Sequence, residues 1–298
     1  MDDLIRVADR LYLINSTTNG KFPMAFSFLV KGTDTHALID TGCGEAVCRA
    51  VREEHGVDVV INSHCHPDHI SGNHLFEGKD LWVPQERSAE TGTLENLARR
   101  LVGPDPQIIN SWLTFARRDL GMRDYHHTKT FQDEERFDFG GITLQAIHTP
   151  GHLADHYCFL EPCSNCLLSF DVDLTTFGPF YGNPEADIPA FRRTLKKIKA
   201  LSPATIASSH RRPVGEQVME ELQDFTAKID RNGKRVLSVL DQPRILDEIC
   251  LSKPIFGKYI PGLEVMYTFF ERHMVEKHLD EMVKNGQVAF RDGCYSRC

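Results

Sequence analysis

Residues 64–69 read His64-Cys65-His66-Pro67-Asp68-His69, directly after the apolar run Val59-Val60-Ile61. Imidazole and carboxylate in this density suit zinc, iron or manganese, and four such groups exceed what one catalytic ion needs. A catalytic zinc takes about three protein ligands and keeps a position open for water. The surplus points to two adjacent metals completed by groups from elsewhere in the chain. A polar loop of solvated histidines would account for one imidazole but not for three.

The elements that must position such groups come from periodicity. Leu11–Ile14, Phe26–Val30, His36–Ile39 and Val57–Ile61 read as strands, with a short helix over Arg49–His55 between the last two. Leu81-Trp82-Val83 is a further strand, expected to stop at Pro84. Residues 85–125 switch to helical spacing through Leu94, Leu97, Leu101 and Trp112, broken by Pro104 and Pro106. This helical insertion either overhangs the site or packs on the sheet. Gly140-Gly141 joins a hairpin whose second arm runs to Ile147. Tyr157–Leu160 and Leu167–Phe170 form another around Cys163-x-x-Cys166, read as a turn carrying two thiols. An amphipathic helix over Ile188–Leu201 precedes the strand Ala204–Ala207.

Beyond His210 the chain turns helical. Val218, Leu222, Phe225 and Ile229 share one face, Arg244–Cys250 is short, and a Pro/Gly loop leads to a helix over Leu263–Asn285. Gly286 stops that helix, and Gln287–Phe290 reads as a small β wing. The division expected is 1–215 for the catalytic domain and 216–298 for a helical appendage.

Asp40, His64, His152, Asp171 and His210 each follow a strand. Strand ends are where a sheet holds chemical groups rigidly, so five such placements carry weight that one would not. His148 sits inside a strand, His126 and His127 in the insertion, and His273 and His278 on the last helix; these are assigned structural or solvated roles. Tyr181, in the loop Phe177–Asn183, is a weaker candidate for reaching substrate.

His64-Cys65-His66-Pro67-Asp68-His69, Thr149-Pro150-Gly151-His152, Phe170-Asp171, His210 and the earlier Asp40-Thr41-Gly42 together resemble the metallo-β-lactamase-fold hydrolase superfamily over about residues 8–214. The resemblance implies an α/β fold of αββα sandwich type, two mixed sheets face to face with helices outside and the site at one edge. Residues 216–298 resemble the small winged-helix-like domain behind that fold in thioesterase-like members and lactamase-like endoribonucleases.

What the resemblance implies for the site is a first metal on His64, His66 and His152, a second on Asp68, His69 and His210, and Asp171 bridging both. Two cations roughly 3.5–4 Å apart can share a water, lower its pKa and polarise a carbonyl or phosphoryl oxygen. Asp68 is the candidate catalytic residue, orienting that water and taking its proton; Asp40 is expected to accept hydrogen bonds that hold a ligand histidine or the loop. Two zinc ions are the expected cofactors, with iron or manganese as alternatives. The family's usual glycine before the bridging aspartate is Phe170 here, expected to narrow the site or displace the strand. Asp173 is a competing ligand, and His156 is given a structural or substrate role.

The reaction expected is acyl hydrolysis of a thioester or ester, on a small-molecule acyl substrate. The apolar loop Phe177-Gly178-Pro179-Phe180-Tyr181 and the net charge of −8 favour it. Phosphodiester hydrolysis, as in an endoribonuclease, is the alternative, favoured by the winged-helix-like appendage and by Arg211-Arg212. A mononuclear-iron persulfide dioxygenase and a non-catalytic metal-binding protein rank lower. No run approaches the roughly 18 apolar residues of a membrane span. Nine cysteines without regular spacing do not form a disulfide framework, so a reducing cytoplasm is the expected compartment. A homodimer is compatible with the sequence, which carries no signal for a particular oligomer.

Overall fold

Strict alternation of apolar side chains decides how the layers stack. In the third, fourth and fifth strands Phe28, Val30, Ala37, Ile39, Val59 and Ile61 face one way, while Leu29, Leu38 and Val60 face the other. Both faces are apolar, so the sheet they build must be covered on both sides. The computed structural model describes residues 4–259 and 262–298; residues 1–3, the acidic start, and 260–261, within the expected Pro/Gly loop, lie outside the described residues.

The first sheet runs in chain order: β1 (Leu4–Ala8), β2 (Leu11–Ile14), β3 (Ser27–Lys31), β4 (His36–Ile39), β5 (Val59–Ile61), β6 (Asp80–Pro84) and β7 (Lys129–Phe131). Its first four strands are antiparallel and β4 to β7 are parallel. The second sheet has the order β12-β11-β10-β9-β8, from β8 (Arg136–Asp138), β9 (Thr143–His148), β10 (Tyr157–Glu161), β11 (Cys166–Phe170) and β12 (Thr205–Ser208), with only β11 and β12 parallel. Parallel neighbours need crossovers. These are α1 (Glu45–His55), the single turn α2 (Pro67–Ile70), the insertion helices α3 (Leu94–Val102) and α4 (Pro106–Thr114), and α5 (Ile188–Leu201).

Tyr157, Phe159, Leu168 and Phe170 of the second sheet meet the inward set of the first, so the sheets share one buried core. The outer face of the first sheet packs on α1, α3 and α4. That of the second packs on α5, α6 (Val218–Ser238), α7 (Leu246–Leu251) and α8 (Glu264–Lys284). The result is the αββα arrangement, with a C-terminal helical region closed by the hairpin β13 (Val288–Arg291) and β14 (Cys294–Arg297).

Three sequence expectations are refined. Pro84 does not stop β6; it is its last residue, in register with Phe131 of β7, a short strand that the sequence pattern concealed. Proline is tolerated there because the pairing continues through Gln85 N–H to Phe131 O at 2.8 Å. The insertion packs on the sheet: Leu94, Leu97, Leu101 and Trp112 are buried beside Leu29, Leu38 and Val60. Phe170 does not narrow the site; it displaces the strand, the register of β11 on β12 shifting between Leu168 and Phe170. It takes φ 48°, and its ring enters the inter-sheet core, edge-on to Phe28 and Phe159 at 5.7 and 5.6 Å.

Phe170 sets two effects against each other. Left-handed backbone costs a non-glycine residue about 1–2 kcal/mol, whereas emptying a buried phenylalanine site costs about 3–5 kcal/mol. Packing wins. Phe170→Gly is therefore expected to destabilise the fold by about 2 kcal/mol or more in urea unfolding, despite relieving the backbone; a variant as stable as the wild type would refute this ordering.

Candidate metal centre

The chain leaves β5, bends at Ser63 and His64, is extended again at His66 (φ −63°, ψ 145°) and then turns at Pro67, the first residue of α2. Proline fits that position because its fixed φ suits a helix start and no N–H is needed there. The turn divides the cluster between two groups of donors. His64, His66, His152 and Asp171 form one and Asp68, His69 and His210 the other, each with its donor atoms within 4.8 Å of one another. All come from loops at one edge of the two sheets. Phe26 N–H to Ser209 O (2.8 Å), Thr41 N–H to His69 O (2.7 Å) and Tyr157 N–H to Ser63 O (3.0 Å) stitch those loops together.

Asp171 lies between the groups and turns one oxygen to each. Its Oδ2 is 3.0 Å from His152 Nε2, 3.6 Å from His64 Nε2 and 3.7 Å from His66 Nδ1. Its Oδ1 is 2.9 Å from His69 Nε2 and 3.5 Å from His210 Nε2. Asp68 Oδ2 stands 3.4 Å from the same His210 nitrogen.

Each imidazole is tied from behind. His152 Nδ1–H donates to Phe180 O and His210 Nδ1–H to Gly20 O, both at 2.8 Å. His69 Nδ1–H donates to Asp40 Oδ2 at 2.7 Å. Ser63 Oγ–H donates to Asp40 Oδ2, leaving its lone pair for His64 Nδ1–H at 3.0 Å. Asn183 Nδ2 donates to Leu101 O, which turns Oδ1 toward His66 Nε2–H at 2.8 Å. Carbonyls only accept, so these partners fix the tautomers. In the neutral rings every inward nitrogen then carries a lone pair.

That arrangement tests whether the residues fit metal ions. His66 Nδ1 and His152 Nε2 face each other at 2.8 Å, and neither has a proton left to share. His64 Nε2 is buried without a hydrogen-bond partner, and His69 Nε2 and Asp171 Oδ1, 2.9 Å apart, have no proton between them while the ring is neutral. Unpaired buried acceptors cost about 1–3 kcal/mol each, and two divalent cations would satisfy all of them. The electrostatics agree. Burial would raise Asp171, but the imidazoles of His69, His152 and His64 hold it well below the usual carboxylate range. Burial would lower His69, but Asp171 and Asp40 push it up to about 10. The pocket calls for positive charge.

The structure thus brings together all seven residues expected from the sequence, with Asp40 behind His69. Asp173 stays outside both groups, accepting from Thr175 N–H at 3.0 Å. His156 is structural: its Nδ1 meets Thr149 Oγ1 at 2.9 Å and its Nε2 accepts from Asp171 N–H at 3.3 Å, holding the bridging residue's backbone. Tyr181 does not reach the site; it is buried, its hydroxyl shared with His278 Nε2 (2.8 Å) and Asn232 Nδ2 (3.0 Å). Cys65 is buried in the outer core, on the side of the turn away from the two donor groups. Cys163 is exposed and Cys166 buried, both free, in a turn whose N–H groups at Cys163 and Ser164 bond the Glu161 carboxylate at 2.8 Å. Ser63, Asn183 and the carbonyls of Phe180 and Gly20 had no signal in the sequence.

The insertion also braces the site from the side. Arg100 of α3 is buried against Asp155 (2.9 Å) and Glu185 (2.8 Å), and Glu185 accepts from Ala154 N–H, two residues after His152.

Known proteins share this arrangement of sheets and loops. The chain is 30% identical over 224 residues to the lactamase-like protein aptB of Emericella nidulans, covering 73% of this chain and 60% of that one. It is 26% identical over 288 residues to an atrochrysone carboxyl ACP thioesterase of Aspergillus fumigatus, covering 88% and 79%. The chain spans about three fifths of the length of the lactamase-like relatives. Among solved structures, a metallo-beta-lactamase family protein of Thermus thermophilus superposes with a TM-score of 0.76 at 21% identity, over 98% of this chain and all of that one. A beta-lactamase domain protein of Burkholderia ambifaria gives 0.72 at 18%, over 99% and 93%. These two likenesses establish the fold. The family profile described as the metallo-beta-lactamase superfamily matches residues 20–210, a span that opens at the Gly20 carbonyl behind His210 and closes on His210 itself, and the chain belongs to that superfamily.

Proposed function

We propose that the chain is a dinuclear metal-dependent hydrolase that cleaves a thioester or ester. The observation that carries this reading is Asp171, whose two oxygens face two separate sets of donors. His64, His66 and His152 would hold one ion, Asp68, His69 and His210 the other, with Asp171 between. Zinc suits this nitrogen- and oxygen-rich set, with iron or manganese as alternatives. Bound there, the ions would supply Lewis acidity and water made nucleophilic at neutral pH.

The chain's own groups do the rest. Water adds to the acyl carbon as Asp68 takes its proton at the carboxylate; the bond to sulfur or oxygen then breaks, and Asp68 returns that proton to the departing thiolate or alkoxide, leaving the free acid and a thiol or alcohol. Asp40, Ser63 and Asn183 and the carbonyls of Gly20 and Phe180 keep the imidazoles aimed inward. The Phe180 ring, 6.2 and 5.9 Å from the His66 and His152 rings, gives the site an apolar wall suited to an acyl group. Residues 1–215 would be the catalytic unit, with 216–298 the helical, winged-helix-like unit behind it.

Support for the acyl reading also comes from the thioesterase named among the relatives. The RNA reading keeps the winged-helix-like appendage but loses the free arginine pair beside His210. Arg211 is committed to Glu221 by two bonds of 2.8 Å, and Arg212 bonds Asn19 Oδ1 at 2.8 Å. Among the described residues no helix is long and apolar enough to cross a membrane. The test is a panel of acyl-CoA thioesters, lactones and phosphodiesters with the zinc-loaded protein. Thioesters are expected to give the highest kcat/KM; preferential phosphodiester cleavage, or oxygen consumption by a single bound iron, would overturn the proposal.

A further inference from the structure

We infer that Asn183 is a positioning residue that sets the affinity of the first metal site, and that the insertion and the C-terminal helices act on the site through it. This rests on the two-metal reading and extends it to a residue outside the ligand set.

Asn183 lies at the end of the loop that follows Asp171, and it is almost wholly buried. Three parts of the chain meet on it. Its Oδ1 accepts from His66 Nε2–H, its Nδ2 donates to Leu101 O at the end of α3, and its carbonyl accepts from Lys277 Nζ of α8 at 2.9 Å. The amide can therefore face only one way. A reversed amide would set its oxygen against the Leu101 oxygen, a buried repulsion between two acceptors that no tautomer relieves. With the amide so fixed, His66 must carry its proton on Nε2 and present Nδ1 to the centre. That is the histidine whose Nδ1 faces His152 Nε2 at 2.8 Å.

The same loop carries the Phe180 carbonyl that holds His152. It is clamped to the C-terminal helices by Tyr181 on His278 and Asn232, and by the Phe180 ring on Phe270 at 5.1 Å. Two of the three histidines of the first group thus take their orientation from one loop, whose own position is set by α3, α6 and α8. Those of the second group are held by Asp40 and Gly20 instead. The structure therefore assigns the loop an effect on one metal and not on the other.

Zinc titration against a chromophoric chelator reads both dissociation constants. Asn183→Leu is expected to weaken one of them by about 10- to 100-fold, the usual consequence of losing an outer hydrogen bond to a ligand histidine, and to leave the other within about threefold. Asn183→Asp, which keeps an acceptor for His66 Nε2–H but sets its second oxygen against the Leu101 oxygen, is expected to recover part of that loss. Lys277→Met, near the surface, is expected to shift the same constant by less. Wild-type constants in folded Asn183→Leu would overturn the inference, as would equal weakening of both sites. Should that variant not fold, an unmoved constant in Lys277→Met would overturn it equally. The wild-type titration tests the two-metal reading by itself: a single ion per chain would sink that reading, while the shift of its constant in the variants would still decide the role of Asn183.

Discussion

Asp68→Ala is expected to lower kcat on a thioester by about 10²–10⁴-fold, the range for removing a positioned acid–base group, while the first metal site stays filled. The size of the effect follows from where α2 puts this carboxylate. It is the second residue of a one-turn helix, buried, with Oδ2 3.4 Å from His210 Nε2 and across from Asp171. Burial would raise it, but the His210 and His69 imidazoles hold it below the usual carboxylate range, so at neutral pH it is ionised and able to accept a proton. Asp68→Asn separates the two roles: it keeps the shape and one metal-facing oxygen but cannot take up a proton, so kcat should still fall with zinc content close to wild type. Wild-type turnover in either variant would remove Asp68 from the mechanism. Loss of zinc from His64, His66 and His152 in Asp68→Asn would make its role structural.

How much of this centre was legible depended on whether a group speaks through its own side chain. His64, His66, Asp68, His69, His152, Asp171 and His210 stand at strand ends, and imidazole and carboxylate are the donors that metals require, so density and placement exposed them. The groups that aim them are backbone carbonyls, as at Gly20 and Phe180, or single polar residues such as Ser63 and Asn183, which have no periodic or compositional mark. The strands were readable because burial on both faces leaves continuous apolar runs such as Phe28-Leu29-Val30, whereas the layering came only with the family resemblance. Strand β7, only Lys129–Phe131, is too short to show one. Tyr181 as a substrate contact and Phe170 as a wall of the site misled in a common way, although the strand displacement expected at Phe170 is present. A large side chain beside a site looks like a wall of it, yet both point into cores, one toward His278 and one between the sheets.

The strand-end motif Asp40-Thr41-Gly42 yields the second large effect, and here the chemistry is that of space. Asp40 accepts from Ser63 and His69; Thr41 Oγ1–H donates to Asn73 Oδ1 at 2.8 Å and its oxygen accepts from Gly72 N–H at 3.1 Å. These bonds, with Thr41 N–H on His69 O, draw the loop onto the turn that carries Asp68 and His69. At Gly42 there is no room left: a Cβ would lie 1.5 Å from Asp68 O and 2.4 Å from its carbonyl carbon. Both atoms are backbone, so no rotamer change relieves the clash. Overpacking a core costs about 1–3 kcal/mol where side chains can yield, and this site should exceed that range. Gly42→Ala is therefore expected to destabilise the fold by about 3 kcal/mol or more and, where it folds, to lose zinc from the Asp68, His69 and His210 group first. Gly56→Ala is the control, because Gly56 has left-handed φ 64° but nothing within 4 Å of the added methyl. Its cost should be the backbone term alone, about 1–2 kcal/mol, with zinc binding intact. Equal melting temperatures for the two variants, or full zinc occupancy in Gly42→Ala, would show that the loop and the turn move together and that the glycine is not what keeps the second metal group in place.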